Sequence, residues 1–283
     1  MATILSGKAV ADAISAKVTE DVIMLKEQGV SPCLAIVRVG ENPSDLSYER
    51  GAVKRCELTG VEYKKYELPA DISEEDLLKV IEEVNGDFGI HGVLLFRPLP
   101  KHIDSKKVEN ALLPEKDVDC MTEGSLSGIF TGSDTGYPAC TPQSCIEILD
   151  YYGIDITGKN VVVIGRSLVV GKPVSMMLLS RNATVTICHT KTKNMSEISK
   201  KADIIIAAAG KAGVVTKDYV SEGQIIIDVG INVNDEGKLV GDVAYDEVSA
   251  IVGAITPVPG GVGSVTTSVL ISHVVDAAKK TVK

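Results

Sequence analysis

The chain has 283 residues and a mass of 29.9 kDa, which at roughly 150 residues per domain corresponds to about two domains. Its 29 Lys and Arg against 38 Asp and Glu leave a formal charge of −9, which argues against sequence-independent binding to nucleic acid or to an anionic membrane. A hydrophobic content of 45% and a charged content of 24% exclude a disordered or fibrous class.

The sequence contains neither a clear targeting or membrane-spanning segment nor a cysteine pattern typical of metal sites or disulfides. The longest apolar run, Ile204 to Ala209, is much shorter than a membrane-spanning helix, and the N-terminal residues lack the positive region of a secretory signal. We therefore expect a cytoplasmic protein with no membrane partner. The six cysteines form no C-x-x-C pair and predict buried free thiols, with no metal site and no disulfide framework; they are Cys33, Cys56, Cys120, Cys140, Cys145 and Cys188.

The first half alternates amphipathic segments with short apolar runs, which is typical of helices on a mainly parallel sheet and predicts an α/β fold. In chain order we expect a helix over 8–28, a strand over 33–39, a helix over 44–58, a strand over 62–68, a helix capped by Ser73 and a strand over 91–95. Residues 114–142 are rich in Gly, Ser, Thr, Asp and Pro and predict a long functional loop.

The second half has the pattern of a nucleotide-binding unit. Successive strands are expected over 161–164, 184–188, 204–208, 225–229 and 254–256, and an amphipathic helix over 267–280 ends the chain. The first of these strands, VVVIG, leads into the turn Gly165-Arg166-Ser167 and then into Gly171-Lys172-Pro173, where the proline suits a first helical turn. Such a unit directs backbone amides and a helix N-terminus at phosphate. The spacing is not G-x-G-x-x-G, so a simple chain reversal is an alternative.

The end of the next strand bears on cofactor choice. It reads Cys188-His189-Thr190-Lys191-Thr192-Lys193, whereas an NAD site would place a carboxylate there for the ribose hydroxyls. Arg166, Thr190, Lys191 and Lys193 instead offer donors to an additional phosphate, which favours NADP. A solvated basic loop is the alternative interpretation.

The segment ITPVPGGVG, residues 255–263, is hard to explain by packing alone. Its two prolines fix the backbone, and its three glycines allow a ligand or another backbone to approach closely. Helix-forming residues resume near Val265. We therefore interpret the segment as a ligand-contacting loop, with a structural turn as the alternative.

Together with GRS-x-x-VG-x-P, ATVT-x-CH-x-KT, IIIDVGIN, KDVD and NPSDLSYERG, the TPVPGGVG segment resembles the methylenetetrahydrofolate dehydrogenase/cyclohydrolase family over essentially the whole chain. The resemblance implies an N-terminal α/β catalytic domain over residues 1–141, completed by a C-terminal helix over 267–283, and a Rossmann-type NADP-binding domain over 142–266. It implies that methylenetetrahydrofolate, with or without a polyglutamate tail, binds in the cleft between these domains. It also implies a homodimer.

Site residues follow from the resemblance by position. Tyr48 and Asp119 are implied as the catalytic residues, with the tyrosine beside the reacting centre of the folate and the aspartate on its pteridine. Pro257, Gly260 and Gly261 are implied to line the substrate pocket. The implied cofactor contacts are Gly165, Arg166, Ser167, Gly171, Thr190, Lys191 and Ile231.

Two departures from the family pattern concern its chemistry. The catalytic lysine of the family, four residues after the tyrosine, is Ala52 here, and the glutamine that tunes this lysine is Phe96. Lys54 is a poor substitute, because at about 100° per residue its side chain points some 200° away, and Arg55 lies a turn too far along the helix. Three further changes remove no chemical group: Cys120 and Ser144 replace glycines, and Ser264 replaces a proline.

Hydride transfer from the bridging carbon of methylenetetrahydrofolate moves no proton, whereas hydrolysis of the methenyl product needs a positioned acid/base, worth about 10² to 10⁴-fold. The sequence therefore predicts an NADP-dependent dehydrogenase with weak or absent cyclohydrolase activity. Three alternatives stay open. They are a bifunctional enzyme in which Arg97 or Arg55 substitutes for the lysine, a non-catalytic homologue that binds folate or nucleotide, and an unrelated Rossmann dehydrogenase acting on a small acid.

Overall fold

The computed structural model describes residues 2–282. Its strands are β1 (Thr3–Ile4), β2 (Cys33–Val39), β3 (Glu62–Leu68), β4 (Gly92–Leu95), β5 (Asn160–Ile164), β6 (Thr184–Cys188), β7 (Ile204–Ala207), β8 (Ile225–Asp228), β9 (Asn232–Val233), β10 (Leu239–Val240) and β11 (Ala254–Ile255). Its helices are α1 (Gly7–Glu27), α2 (Pro43–Thr59), α3 (Glu74–Gly86), α4 (Ser105–Ala111), α5 (Glu123–Thr131), α6 (Cys140–Tyr151), α7 (Gly171–Ser180), α8 (Met195–Ser199), α9 (Tyr245–Ser249) and α10 (Thr266–Lys279). One-turn 3-10 helices lie at Pro114–Lys116, Lys217–Tyr219 and Val262–Ser264.

The described residues divide into two units, named here by their sheets. The three-stranded unit contains Asp12–Cys140 and the residues from Thr267 onward, and the six-stranded unit contains the residues up to Ala11 together with Thr141–Thr266. The short strand β1 pairs in parallel with β11, so it joins the second sheet, although the predicted boundary placed it in the first domain. A strand of two residues has no periodicity that the sequence could reveal.

The three-stranded unit is built around β2, which pairs in parallel with β3 on one side and β4 on the other. Its nearly continuous apolar run is buried, as expected for a central parallel strand. Helix α3 packs its Leu77, Ile81 and Val84 into the same core. The predicted cap is confirmed, since Ser73 Oγ accepts a hydrogen bond from Asp76 N at 3.1 Å and satisfies one free amide of the first turn.

The predicted loop over 114–142 is wrong in part, because it contains α5 and the start of α6. Helix α5 has two glycines and two serines, all poor helix formers. It forms because Thr122 Oγ1 accepts a hydrogen bond from Ser125 N at 3.0 Å, Gly132 ends it at φ +70°, and Gly128 lets the Thr135 carbonyl lie against the helix. Tertiary contacts here override local propensity.

The six-stranded unit has the strand order β1-β11-β8-β7-β5-β6, with every pair parallel. The chain passes from β5 outward to β6 and then returns to the other side of β5 to form β7. The junction between β5 and β7 is therefore a topological switch point, where doubly wound sheets bind their ligands beyond the carboxyl ends of the strands. A small antiparallel pair, β9 and β10, follows β8 and was not predicted.

Burial of the cysteines is confirmed, since all six lie buried as free thiols. Desolvation raises the pKa of Cys56 to about 12, which leaves it protonated and unreactive near neutral pH. Within residues 2–282, no helix combines the length and apolarity needed to cross a membrane.

Candidate active site and cofactor site

Helix α2 carries the catalytic tyrosine predicted from the sequence. Asn42 caps this helix by accepting a hydrogen bond from Ser44 N at 2.9 Å, Pro43 occupies the first turn, and Gly60 ends the helix in the left-handed conformation at φ +74°. Tyr48 lies in the second turn, and its ring meets the ring of Phe96, which follows β4. The ring centroids are 6.1 Å apart and the planes are inclined by 83°, a favourable edge-type aromatic contact.

The two positions that depart from the family pattern are buried and apolar. Ala52, one turn after Tyr48, is 0% exposed, and Phe96 is 8% exposed. Neither side chain accepts or donates a proton. At these two positions the structure therefore places hydrocarbon where the family pattern has an amine and an amide.

The cations that could replace the family lysine are either exposed or already engaged by other side chains. Lys54 is exposed, and Arg55 donates a hydrogen bond to Ser15 Oγ of α1 at 2.8 Å. Arg97 lies 3.7 Å from the Glu109 carboxylate. These contacts make Arg55 a poor replacement for the family lysine, because its guanidinium is engaged with α1.

Asp119, the second predicted catalytic residue, sits on the turn between the 3-10 helix at 114–116 and α5. One of its carboxylate oxygens accepts a hydrogen bond from Cys140 N at 3.1 Å. Burial raises the pKa of Asp119, while its hydrogen bonds with Cys140 and the charge of Arg97 oppose the rise. A buried carboxyl group has lost its hydrogen bonds to water. Hydrogen bonds to the polar edge of a bound ring can replace them.

At two of the three further positions that differ from the family pattern, the structure shows what the backbone requires or gains. Cys120 has φ +56°, a left-handed conformation that glycine adopts freely and other residues adopt at a cost of about 1–2 kcal/mol, which explains the family's glycine. Ser264 N donates to the Gly261 carbonyl at 3.0 Å, a bond that the family's proline cannot make. Nothing in the structure explains Ser144.

The predicted phosphate turn follows β5 at the switch point. Gly165 has φ +138°, and a Cβ there would strike the Ala208 carbonyl. A Cβ on Gly171 would strike the backbone of Gly165, so the start of α7 also lies directly against the turn. Ser167 Oγ accepts hydrogen bonds from Val170 N at 3.0 Å and from Gly171 N, the amide of the first residue of α7, at 3.4 Å. The backbone of this turn therefore requires glycine at positions 165 and 171.

Cationic and hydroxyl side chains occur at the predicted positions, in the phosphate turn after β5 and in the loop after β6. Arg166, Thr190 and Lys191 are exposed, and the loop after β6 is ordered by His189, whose Nδ1 accepts a hydrogen bond from Lys191 N at 3.1 Å. No carboxylate occurs between 188 and 193. These residues fit a dinucleotide carrying an additional phosphate.

The TPVPGGVG loop lines a cavity of about 230 Å³. This cavity brings together the three predicted substrate residues Pro257, Gly260 and Gly261 with the predicted cofactor residue Ile231. Gly260 has φ +100°, and a Cβ on Gly261 would strike the Pro257 carbonyl, so both glycines are required by the backbone path. Tyr48 and Asp119, by contrast, belong to the three-stranded unit.

Sequence reasoning missed two buried aspartates of the six-stranded unit, Asp228 and Asp242. Asp228 ends β8 and accepts three backbone hydrogen bonds, from Gly230, Asp242 and Val243. Burial raises its pKa to about 6. The available signal was a carboxylate at the end of an otherwise apolar strand, because a buried charge must find donors.

Both halves of the chain match models of known protein domains. Residues 5–119 match the model of the tetrahydrofolate dehydrogenase/cyclohydrolase catalytic domain, and residues 139–282 match the model of its NAD(P)-binding domain. The chain is 50% identical over 276 residues to the "Bifunctional protein FolD" of Clostridioides difficile (strain 630), which covers 98% of this chain and 96% of that protein.

Solved structures show the same similarity. The crystal structure of the bifunctional enzyme FolD from Campylobacter jejuni has a TM-score of 0.96 and 40% identity, covering 99% of each chain. The FolD structure from Trypanosoma brucei, complexed with NADP cofactor and inhibitor, has a TM-score of 0.93 and 33% identity, covering 100% of this chain and 99% of that one. The two family-model matches and these relatives show that this chain belongs to the tetrahydrofolate dehydrogenase/cyclohydrolase family.

Proposed function

We propose that this protein oxidises 5,10-methylenetetrahydrofolate to 5,10-methenyltetrahydrofolate by hydride transfer to NADP, with weak or absent cyclohydrolase activity. The observation that carries the proposal is the site around Tyr48. Its neighbours at the positions of the family's lysine and glutamine are the buried Ala52 and the Phe96 ring. The site thus keeps the aromatic residue and lacks the amine.

Hydride transfer does not require that amine. The lone pairs of the two nitrogens flanking the bridging carbon expel hydride as a delocalised methenyl cation forms, so no proton moves. The protein has to orient the substrate and exclude water, which contributes up to about 7–11 kcal/mol in well-oriented systems. We assign Tyr48 and Asp119 to hold the folate, and Pro257, Gly260 and Gly261 to shape its pocket.

NADP is the proposed hydride acceptor. Gly165 and Gly171 permit close approach of a pyrophosphate to the backbone, and Ile231 lies exposed at the mouth of the TPVPGGVG cavity. Arg166, Ser167, Thr190 and Lys191 would hold the phosphates. The NADP complex of the Trypanosoma brucei relative supports this choice.

Hydrolysis of the methenyl cation has a different requirement. Water must attack the cation and lose protons, and a positioned acid/base typically accelerates such a step by about 10² to 10⁴-fold. Ala52 has no group for this task. The Phe96 ring, packed against Tyr48 at 6.1 Å, occupies space where a polar side chain would hold a water molecule.

A second candidate is a bifunctional enzyme, favoured by the name and 50% identity of the Clostridioides difficile relative. In that case Arg97 is the cation that would have to serve, because its charge reaches Asp119. A guanidinium stays protonated in proteins, so it can stabilise charge but is a poor proton acceptor.

Absorbance assays of both half-reactions on one preparation test the proposal. We expect NADP reduction with methylenetetrahydrofolate and methenyltetrahydrofolate hydrolysis at the rate of buffer alone. Hydrolysis well above that rate would establish the bifunctional candidate, and Arg97→Gln should then abolish it. Absence of NADP reduction would indicate a non-catalytic homologue.

The homodimer and the cytoplasmic location stay predictions. Gel filtration tests the homodimer.

A further inference from the structure

Two buried aspartates connect loops that follow three different strands of the six-stranded unit. Asp228 ends β8, and Asp242 lies between β10 and α9. Their side chains are joined through the backbone, because Asp242 N donates a hydrogen bond to Asp228 Oδ1 at 2.9 Å. Asp228 and Asp242 are 2% and 0% exposed.

The Asp242 carboxylate holds the loop after β7. Its Oδ2 accepts hydrogen bonds from Ala209 N at 2.6 Å and Gly210 N at 2.8 Å. Its Oδ1 accepts from Lys211 N at 2.9 Å and from Asn232 Nδ2 at 2.9 Å. Four donors fill the acceptor capacity of a carboxylate, and three of them are consecutive backbone amides of one loop.

The Asp228 carboxylate performs the corresponding task for the loop after β8. Its Oδ1 accepts a hydrogen bond from Gly230 N at 2.9 Å, and its Oδ2 accepts from Val243 N at 3.0 Å. Its own backbone N–H donates to Thr256 Oγ1 at 2.7 Å, and Thr256 begins the TPVPGGVG loop. The two aspartates therefore link the segments that follow β7, β8 and β11.

The segments that follow β7, β8 and β11 lie on the opposite side of the phosphate turn from β6. The phosphate turn follows β5, and the donors for the additional phosphate follow β6, so the adenosine half belongs on the β6 side. The other half of the dinucleotide is left to the side of β7, β8 and β11. Ala208, at the start of the loop held by Asp242, donates a backbone hydrogen bond to the Ile164 carbonyl at 2.9 Å, directly before the phosphate turn.

We propose that Asp242, acting with Asp228, is a positioning residue that sets the loops around the nicotinamide half of the cofactor site. The identity of the cofactor rests on the proposed function. Asn at position 242 would have one acceptor oxygen, and its NH₂ group would face backbone N–H groups. Asp242→Asn therefore leaves backbone donors of the loop without an acceptor. The loop at 209–211 must then shift.

The test compares Asp242→Asn with Asp203→Asn. Asp203 is an exposed residue of the same unit, and its carboxylate also accepts a backbone hydrogen bond, from Asn160 N at 2.8 Å, but at the amino end of the sheet. Each variant is titrated with NADPH and with adenosine 2′,5′-bisphosphate, a fragment that occupies only the adenosine half. For Asp242→Asn we expect NADPH affinity to fall by about tenfold to a hundredfold, the effect of one buried donor left unpaired, and fragment affinity to be unchanged.

A merely structural role would lower both affinities together, and that result would overturn the inference, as would NADPH affinity equal to that of Asp203→Asn. If Asp242→Asn does not fold, Asn232→Ala removes one donor to the same carboxylate, and we expect a smaller loss of the same selective kind. Equal NADPH affinity in that variant and the wild type would then contradict the proposal. A wild-type protein that binds no NADPH would refute the proposed function and this inference together, whereas normal wild-type binding with an unaffected Asp242→Asn would refute the inference alone.

Discussion

The Tyr48 and Phe96 rings meet almost at right angles, with their centroids 6.1 Å apart. Tyr48 is on α2 and Phe96 follows β4, which pairs with the central strand β2. The contact therefore joins a helix to the end of a strand of the three-stranded sheet. Ala52 lies fully buried one helical turn beyond the tyrosine. An aromatic pair thus stands in the site where the family pattern has a tyrosine with an amine and an amide.

Introducing both polar groups of the family pattern should create the hydrolysis that we propose is weak or absent in the wild type. In the double variant Ala52→Lys, Phe96→Gln, we expect methenyltetrahydrofolate hydrolysis to rise about tenfold or more above the wild-type rate, below the 10² to 10⁴-fold limit of a well-positioned acid/base. Dehydrogenase activity should persist, because hydride transfer moves no proton. The assay follows loss of methenyl absorbance, and Lys54→Ala, at an exposed position of the same helix, serves as the control. An unchanged hydrolysis rate in a folded double variant would count against the reading of these two positions.

Cofactor preference should depend on Lys191, an exposed lysine in the loop after β6. In Lys191→Gln, we expect the KM for NADP to rise about tenfold, as loss of one charge-assisted phosphate contact predicts, while the KM for NAD stays the same. Steady-state kinetics with both cofactors measure this, and Lys200→Gln, an exposed lysine of the same unit, is the matched control. A parallel rise for NAD would show that the residue does not contact the additional phosphate.

Position 165 of the phosphate turn should tolerate no side chain. Gly165→Ala combines φ +138° with a clash against the Ala208 carbonyl, whereas Gly153→Ala, at φ +65°, meets no atom within 4 Å. We expect the first variant to lose about 3 kcal/mol or more of unfolding free energy and its NADPH binding, and the second to lose only about 1 kcal/mol. Urea denaturation and NADPH titration compare them. Similar losses in both variants would contradict the crowding argument.

The raised pKa of Asp228 should appear in the pH dependence of stability. Its pKa rises from 3.8 to about 6 because the charged form is desolvated, so between these values the folded protein binds more protons than the unfolded chain. The unfolding free energy therefore falls as pH increases through this window, by about 3 kcal/mol for two pKa units.

Asp228→Asn lacks this titration and provides the comparison. We expect the stability of the wild type relative to this variant to decrease between about pH 4 and about pH 6, as measured by urea denaturation at several pH values. Hydrogen bonds that the amide loses, such as the one to Val243 N, lower the variant's stability at every pH and do not affect the slope. A difference independent of pH would show that Asp228 keeps an ordinary pKa.

Much of the fold, and the family, could be predicted from the sequence, because the signals lie in short stretches of the chain. The apolar run Cys33–Val39 is β2 with the predicted bounds, and Ser73 caps α3 as expected. The turn at Gly165 follows its strand at the predicted position. The family itself was identified from such local motifs, and the comparisons confirm it.

Other features were decided only by the tertiary structure, because their partners are far apart in the chain. Helix α5 forms from poor helix formers once the Thr135 carbonyl lies against Gly128. Arg55 is directed to Ser15, 40 residues away. Asp242 reaches amides 31 to 33 residues earlier, and no local pattern records that reach. A buried carboxylate must collect donors wherever the folded chain supplies them, so its role becomes visible only when the strands are in place.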